Sequence, residues 1–312
     1  MKNKKKTIAI LGASGHIAKS LIYSYKEERN FDLFLFSRSV ENVISFANQF
    51  NVKNCVIKSY DQFNDFQYSS IINCTGIGDQ TKLELKPYEV FFVTEEIDLL
   101  VIKHLYNHPQ TTYINFSSGA VHGTVFPKSI QSDACTCIDI NNLTVSDYYG
   151  IAKINSEAKH RSMQDFNILD LRIFGFYSRF IELNRPYLLS EILNALNAKK
   201  VFVTSRSNIF RDYIHPNDLA LLVKKCIGYE KINIAFDVCS KQPISKFDIL
   251  DYFKSSFNLK YTVDQNSNIS SVTGSKENYF SESNKMNKIG FEPYYTSLDC
   301  IENVTLKILR YQ

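Results

Sequence analysis

Tyr149 and Lys153 stand four residues apart in the run Tyr149-Gly-Ile-Ala-Lys153. On a helix that spacing sets a phenol and an ammonium on one face. An unperturbed tyrosine titrates near ~10 and moves protons poorly at neutral pH. A neighbouring positive charge favours phenolate, lowers that value and makes the pair a general acid or base. Of the 19 tyrosines, Tyr149 alone has a lysine four residues on. The pair gains weight from Ser117-Ser118, which closes an apolar run upstream and can offer a hydroxyl to a reacting oxygen.

Two further groups belong to the same chemistry. Gly12-x-x-Gly15-x-x-Ala18 follows the first apolar run. Gly12 permits a tight turn, Gly15 lets backbone approach a pyrophosphate, and Ala18 lets the next helix pack closely on its strand. The N–H groups at the start of that helix, including those of Ser14, His16 and Ile17, face the anion. The second apolar run ends in Ser37-Arg38 rather than in a carboxylate. An acid there would hold the ribose hydroxyls of NAD, whereas the planar fork of Arg38 suits a 2′-phosphate. The expectation is therefore a dinucleotide, NADP in preference to NAD.

The elements that must position these residues are legible as periodicity. Apolar strands are expected at Thr7–Leu11, Phe31–Phe36, Asn54–Lys58, Ser69–Cys74, Thr112–Phe116 and Ile168–Phe174. Helical patterns fill the gaps at His16–Glu28, Val40–Phe50, Val90–His108 and Tyr148–Met163. Strands alternating with helices give an α/β fold with a doubly wound parallel sheet, whose ligands lie beyond the carboxyl ends of the strands. The four chemical groups fall at those ends, in order along the chain. After Gly175 the rhythm loosens. Helices are expected at Leu188–Ala198, Asn217–Tyr229 and Ser245–Phe257, with extended segments at Val201–Val203 and Ile234–Val238. The stretch 259–282 reads as a polar surface loop with short strands. The division is a dinucleotide domain over 1–175, its sheet completed within about 201–240, and a smaller substrate lobe over 176–312.

Composition excludes several classes. The 312 residues are 44% hydrophobic and 22% charged, as in an ordinary globular protein. The net charge of +4 is scattered, without the basic stripe that nucleic acid requires. The block Lys2–Lys6 reads as a solvated tail. No stretch approaches the roughly 20 apolar residues of a membrane span, and Thr7–Leu11 is too short for a signal-peptide core. Seven cysteines without a CxxC spacing fit reduced thiols in a cytoplasmic protein and give no metal site.

With these residues in view, the chain resembles the extended short-chain dehydrogenase/reductases, in particular the nucleotide-sugar epimerases, dehydratases and 4-keto reductases. The resemblance covers nearly the whole chain. It rests on Gly12-Ala-Ser-Gly-His-Ile-Ala18, Asn115-Phe-Ser-Ser-Gly-Ala-Val-His-Gly123, Tyr149-Gly-Ile-Ala-Lys153 with Glu157, Leu171-Arg-Ile-Phe174, Arg211-Asp-Tyr-Ile-His-Pro-Asn-Asp-Leu-Ala220 and Ser283-Asn-Lys-Met-Asn-Lys-Ile-Gly-Phe-Glu-Pro293.

The resemblance implies a Rossmann sheet and a role for each matching position. Tyr149 is the general acid/base, Lys153 binds the nicotinamide ribose and holds down the phenol's pKa, and Ser118 orients the reacting oxygen. Asp61 contacts the adenine, Cys74, Thr75 and Gly76 line the cofactor, and Arg211 grips the substrate diphosphate. Dehydratases carry an Asp-Glu pair where this chain has Gly119-Ala120; His122 replaces the usual tyrosine, and Gly175 an asparagine that commonly holds substrate phosphates. The leading expectation is 4-keto reduction of a nucleotide sugar. The alternatives are an epimerase with tightly held NAD and a non-catalytic dinucleotide sensor. A homodimer through the two helices nearest the site, including Tyr148–Met163, is the family's arrangement. Sugar, nucleotide and stereochemistry stay open.

Overall fold

A computed structural model describes residues 5–77, 85–132, 134–264 and 276–310. Gly78, Lys2–Lys4 and most of the expected polar loop, residues 265–275, lie outside the described residues.

The first lobe is a seven-stranded sheet, every pair parallel, in the order β3-β2-β1-β4-β5-β6-β9. Its strands are β1 (Lys6–Leu11), β2 (Phe31–Phe36), β3 (Cys55–Lys58), β4 (Ser70–Asn73), β5 (Thr112–Ser118), β6 (Ile168–Ile173) and β9 (Asn233–Val238). The apolar runs are continuous because helices cover both faces. Ile8, Ile10, Leu35, Ile72, Ile114 and Leu169 of this sheet are fully buried. The order reverses between β1 and β4, so a crevice opens beyond their carboxyl ends.

The helices follow the expected pattern, with corrections at their ends. They are α1 (His16–Tyr25), α2 (Val40–Gln49), α3 (Glu89–Asn107), α4 (Val145–Ser162), α5 (Leu188–Asn197), α6 (Pro216–Cys226), α7 (Lys246–Phe257) and α8 (Ser297–Leu309). Helix α4 starts three residues before Tyr148, because Thr144 and Asp147 form a reciprocal capping box. His215, whose ring accepts from the Asn217 N–H, caps α6, which starts at Pro216, one residue before the Asn expected to begin it.

The second lobe has two small sheets. β7 (Phe202–Ser205) pairs with β11 (Tyr261–Asp264), apart from the main sheet. β10 (Ile244–Ser245), β8 (Phe210–Arg211) and β12 (Asn278–Tyr279) form the other, with Arg211 and Tyr279 as register partners. The lobe has its own core of Tyr177, Leu193, Leu250, Phe253 and Ile301. Among the described residues no helix is long and apolar enough to cross a membrane.

Candidate active site

Gly12 closes β1 at φ +73°, a conformation that a side chain disfavours. The space is closed as well: a Cβ there would stand 3.1 Å from the Cys74 carbonyl and from Thr75. The turn and the loop after β4 thus meet backbone to backbone. The Gly12 N–H donates at 2.9 Å to the hydroxyl oxygen of Tyr60, in the short helix after β3. Ser37 donates to Ser14 across the same turn at 3.2 Å. His16 is held by the Ser178 hydroxyl at 2.8 Å, and burial pulls its pKa down to about 4, so the ring is neutral at the helix start. Ile17 packs on the core.

The loop after β4 continues to the lysine. A Cβ on Gly76 would stand 3.7 Å from the Lys153 ammonium. One line of neighbours therefore runs from Gly12–Gly15, past Cys74, Thr75 and Gly76, to Lys153. Its glycine cradle and helix N-terminus suit a dinucleotide diphosphate, and its far end suits a ribose. Arg38 is exposed at the end of β2, and its charge reaches Tyr60. Asp61 is exposed and accepts from Ser59.

Ser118, Tyr149 and Lys153 converge because helix α4 lies unusually close to the turn after β5. A Cβ on Gly150 would stand 2.5 Å from the Ala120 carbonyl oxygen, so only glycine lets the two segments touch. The neighbouring serines of β5 face opposite sides, as strand alternation requires. Ser117 donates to Glu157 at 2.6 Å, whereas Ser118 shares hydrogen bonding with Tyr149 and with the Tyr279 hydroxyl at 3.3 Å. Tyr148 points instead to Phe91 of α3.

The electrostatics differ from the sequence expectation. Burial raises the Tyr149 pKa above its ordinary value, with the Ser118 hydrogen bond opposing; Lys153 does not lower it. Lys153 is 2% exposed and donates to the Phe116 carbonyl at 2.9 Å. Burial lowers its pKa, against Asp98, Asp170 and Glu157. The phenol is thus held protonated in this arrangement.

Arg211, expected on the substrate side, is brought beside the cluster by its pairing with Tyr279. Tyr60, Tyr279 and Lys276 were not legible as site residues. Tyr60 had a signal, since it adjoins Asp61 after β3. Tyr279 had none, because 161 positions separate it from Ser118. Among the described residues no group of three His, Cys, Asp or Glu side chains is placed to hold a metal.

Sheet order, glycine turn and tyrosine–lysine cluster define a doubly wound dinucleotide-binding architecture. The sequence profile of the NAD dependent epimerase/dehydratase family matches residues 8–235, and the chain belongs to that family. Shikimate dehydrogenase (NADP(+)) from Caldicellulosiruptor saccharolyticus is 30% identical over 112 residues, 36% of this chain and 40% of that relative's length. Among solved structures, UDP-N-acetylglucosamine 4-epimerase from Methanobrevibacter ruminantium M1, in complex with UDP-N-acetylmuramic acid, superposes with a TM-score of 0.82 at 14% identity over 99% of each chain. UDP-glucuronic acid 4-epimerase from Bacillus cereus, with UDP-glucuronic acid and NAD, has a TM-score of 0.78 at 14% identity over 98% of this chain and all of the other. These likenesses establish the shared fold.

Proposed function

We propose that the protein is a nucleotide-sugar epimerase that keeps NAD bound through its cycle. The observation that carries the reading is the convergence of Ser118, Tyr149 and Lys153 beside the loop after β4, with no carboxylate in the two positions after Ser118. A side chain at Gly119 would stand 2.6 Å from the Phe174 ring, so the first carboxylate of a dehydratase's pair has no room there, and Ala120 stands where the second would be. The structural neighbours that act on UDP-sugars as 4-epimerases weigh the choice from reduction, the leading sequence expectation, towards its alternative.

Bound NAD supplies an acceptor and donor of hydride at the sugar carbon. The Gly12–Gly15 turn and the start of α1 bind its diphosphate. Cys74, Thr75 and Gly76 line its path, Asp61 borders the adenine end, and Lys153 holds the ribose. Ser118 orients the sugar hydroxyl. Tyr149 Oη takes that hydroxyl's proton during oxidation and returns it after the keto sugar has turned its other face. The buried phenol starts protonated; a positive nicotinamide beside it favours the phenolate that oxidation needs. Lobe 176–312 binds the nucleotide sugar, with Arg211 on the diphosphate.

A second reading, NADPH-dependent 4-keto reduction, is favoured by Arg38 standing where an acid would select NAD. Release and assay of the copurified nucleotide separates the two. Epimerisation without net change in nicotinamide absorbance supports the first; stoichiometric NADPH consumption supports the second. Tyr149→Phe should lower turnover by roughly 10²–10⁴-fold while leaving nicotinamide binding in place; retained turnover removes the mechanism.

A homodimer fits the same reading. Phe92, Leu99 and Tyr106 on α3 are exposed at seven-residue spacing, an apolar seam suited to a second helix pair. Light scattering should give twice the chain mass. A cytoplasmic location accords with the free cysteines.

A further inference from the structure

Among the described residues, two cations near the Ser118 and Tyr279 hydroxyls have no carboxylate beside them. Arg211 donates through Nη1 to the carbonyls of Phe210 and Lys276, at 2.7 Å each. The Lys276 ammonium stands 4.5 Å from the centre of the Tyr279 ring and 6.0 Å from that of Phe126. The charges that reach Arg211 are those of Tyr213 and Tyr279, and the charge that reaches Lys276 is that of Arg211. Burial, helped by that repulsion, brings Lys276 down to about 8. Asp237 is engaged elsewhere, with His122 at 3.0 Å and Ser281 at 2.6 Å. A desolvated cation without a partner is costly, and an anionic ligand removes that cost.

We propose that Lys276 selects the charge of the sugar: its ammonium, over the face of Tyr279, receives a carboxylate carried on the sugar ring, and the substrate is an acidic nucleotide sugar. The inference rests on the nucleotide-sugar reading above. Tyr279 sets the scale. Its hydroxyl meets Ser118, where the reacting oxygen binds, and its ring lies under the ammonium. One aromatic ring, close in size to a hexose ring, separates the reacting centre from the charge. The planar fork of Arg211 suits paired phosphate oxygens, whereas a single ammonium suits a lone carboxylate.

Calorimetric titration of the purified protein with UDP- and dTDP-glucuronic acid, with UDP- and dTDP-glucose, and with UDP alone tests this. The wild type should bind the uronate form at least about tenfold more tightly than the neutral sugar of the same nucleotide. Lys276→Met should abolish that preference and Lys276→Arg should keep most of it, with UDP alone losing far less than the uronate does. Equal affinities in the wild type overturn the inference. So does an equal loss for uronate, neutral sugar and UDP in Lys276→Met, which marks a phosphate contact. Binding of the neutral sugars without preference leaves the nucleotide-sugar reading standing; binding of no nucleotide sugar overturns both.

Discussion

Charges on the two sides of the reacting hydroxyls are handled in opposite ways. In the sheet lobe, four buried carboxylates, three of them close enough for their charge to reach Lys153, each meet a cation. His160 lies between Asp98 at 2.8 Å and Asp170 at 2.9 Å. Lys159 adds a contact to Asp98 and Arg161 one to Asp170. Arg172 bridges Glu157 at 2.6 Å and Asp237 at 3.4 Å. Uncharged partners extend the network: Tyr113 donates to Asp98, Asn73 to Tyr113, and Thr75 to Asn73. The charged scaffold therefore reaches the loop after β4. Near the same hydroxyls, Arg211 and Lys276 have no acid beside them among the described residues. Charges paired within the chain hold geometry, while cations without an acid are able to take an anionic ligand.

Removing a charge should then have opposite consequences on the two sides. The largest effect is expected from His160→Gln, which removes the cation that Asp98 and Asp170 share, leaves them only Lys159 and Arg161, and should cost about 3 kcal/mol in urea unfolding. The pH dependence gives the sign. Burial acts to lower the His160 pKa, but Asp170 and Asp98 outweigh it and raise it to about 9. Folding thus binds a proton more tightly than the unfolded chain does. The stability from this group is complete below the ordinary value of 6.5 and is lost as pH rises through about 9. His160→Gln should remove that decline; an unchanged slope would show that the histidine is not charged.

A smaller effect is expected where the two sides meet. Gly150→Ala drives a methyl against the Ala120 carbonyl and must part α4 from the Ser118 turn. The expected cost is about 1–3 kcal/mol of stability, with a loss of turnover larger than the loss of nucleotide binding. Full activity would mean that the close approach of Ser118 and Tyr149 is dispensable. The smallest effect should come from Lys276→Met, a stability within about 0.5 kcal/mol of wild type or slightly above it, because an unpaired, partly desolvated ammonium is removed. A loss as large as that of His160→Gln would erase the contrast between the two regions.

The glycine turn, the apolar strands and the Tyr149–Lys153 spacing were legible because each is local. A tight turn needs glycine within a few residues, parallel strands need continuous apolar runs, and one helix face needs a four-residue step. The same logic located Ser118, though not the fact that Ser117 turns away to Glu157. It missed the protonated state of Tyr149, because burial, set by the whole fold, outweighs a nearby ammonium inferred from spacing.

What the chain's sequence determined by itself was the order of elements and the residue types at the strand ends, since these depend on backbone preference and hydrophobic period. What the tertiary structure alone decided was the company those residues keep. Tyr279 reaches Ser118, His160 reaches Asp98 and Asp170, and Lys276 meets no acid among the described residues, because burial and charge pairing arise from contacts between segments that no local period relates.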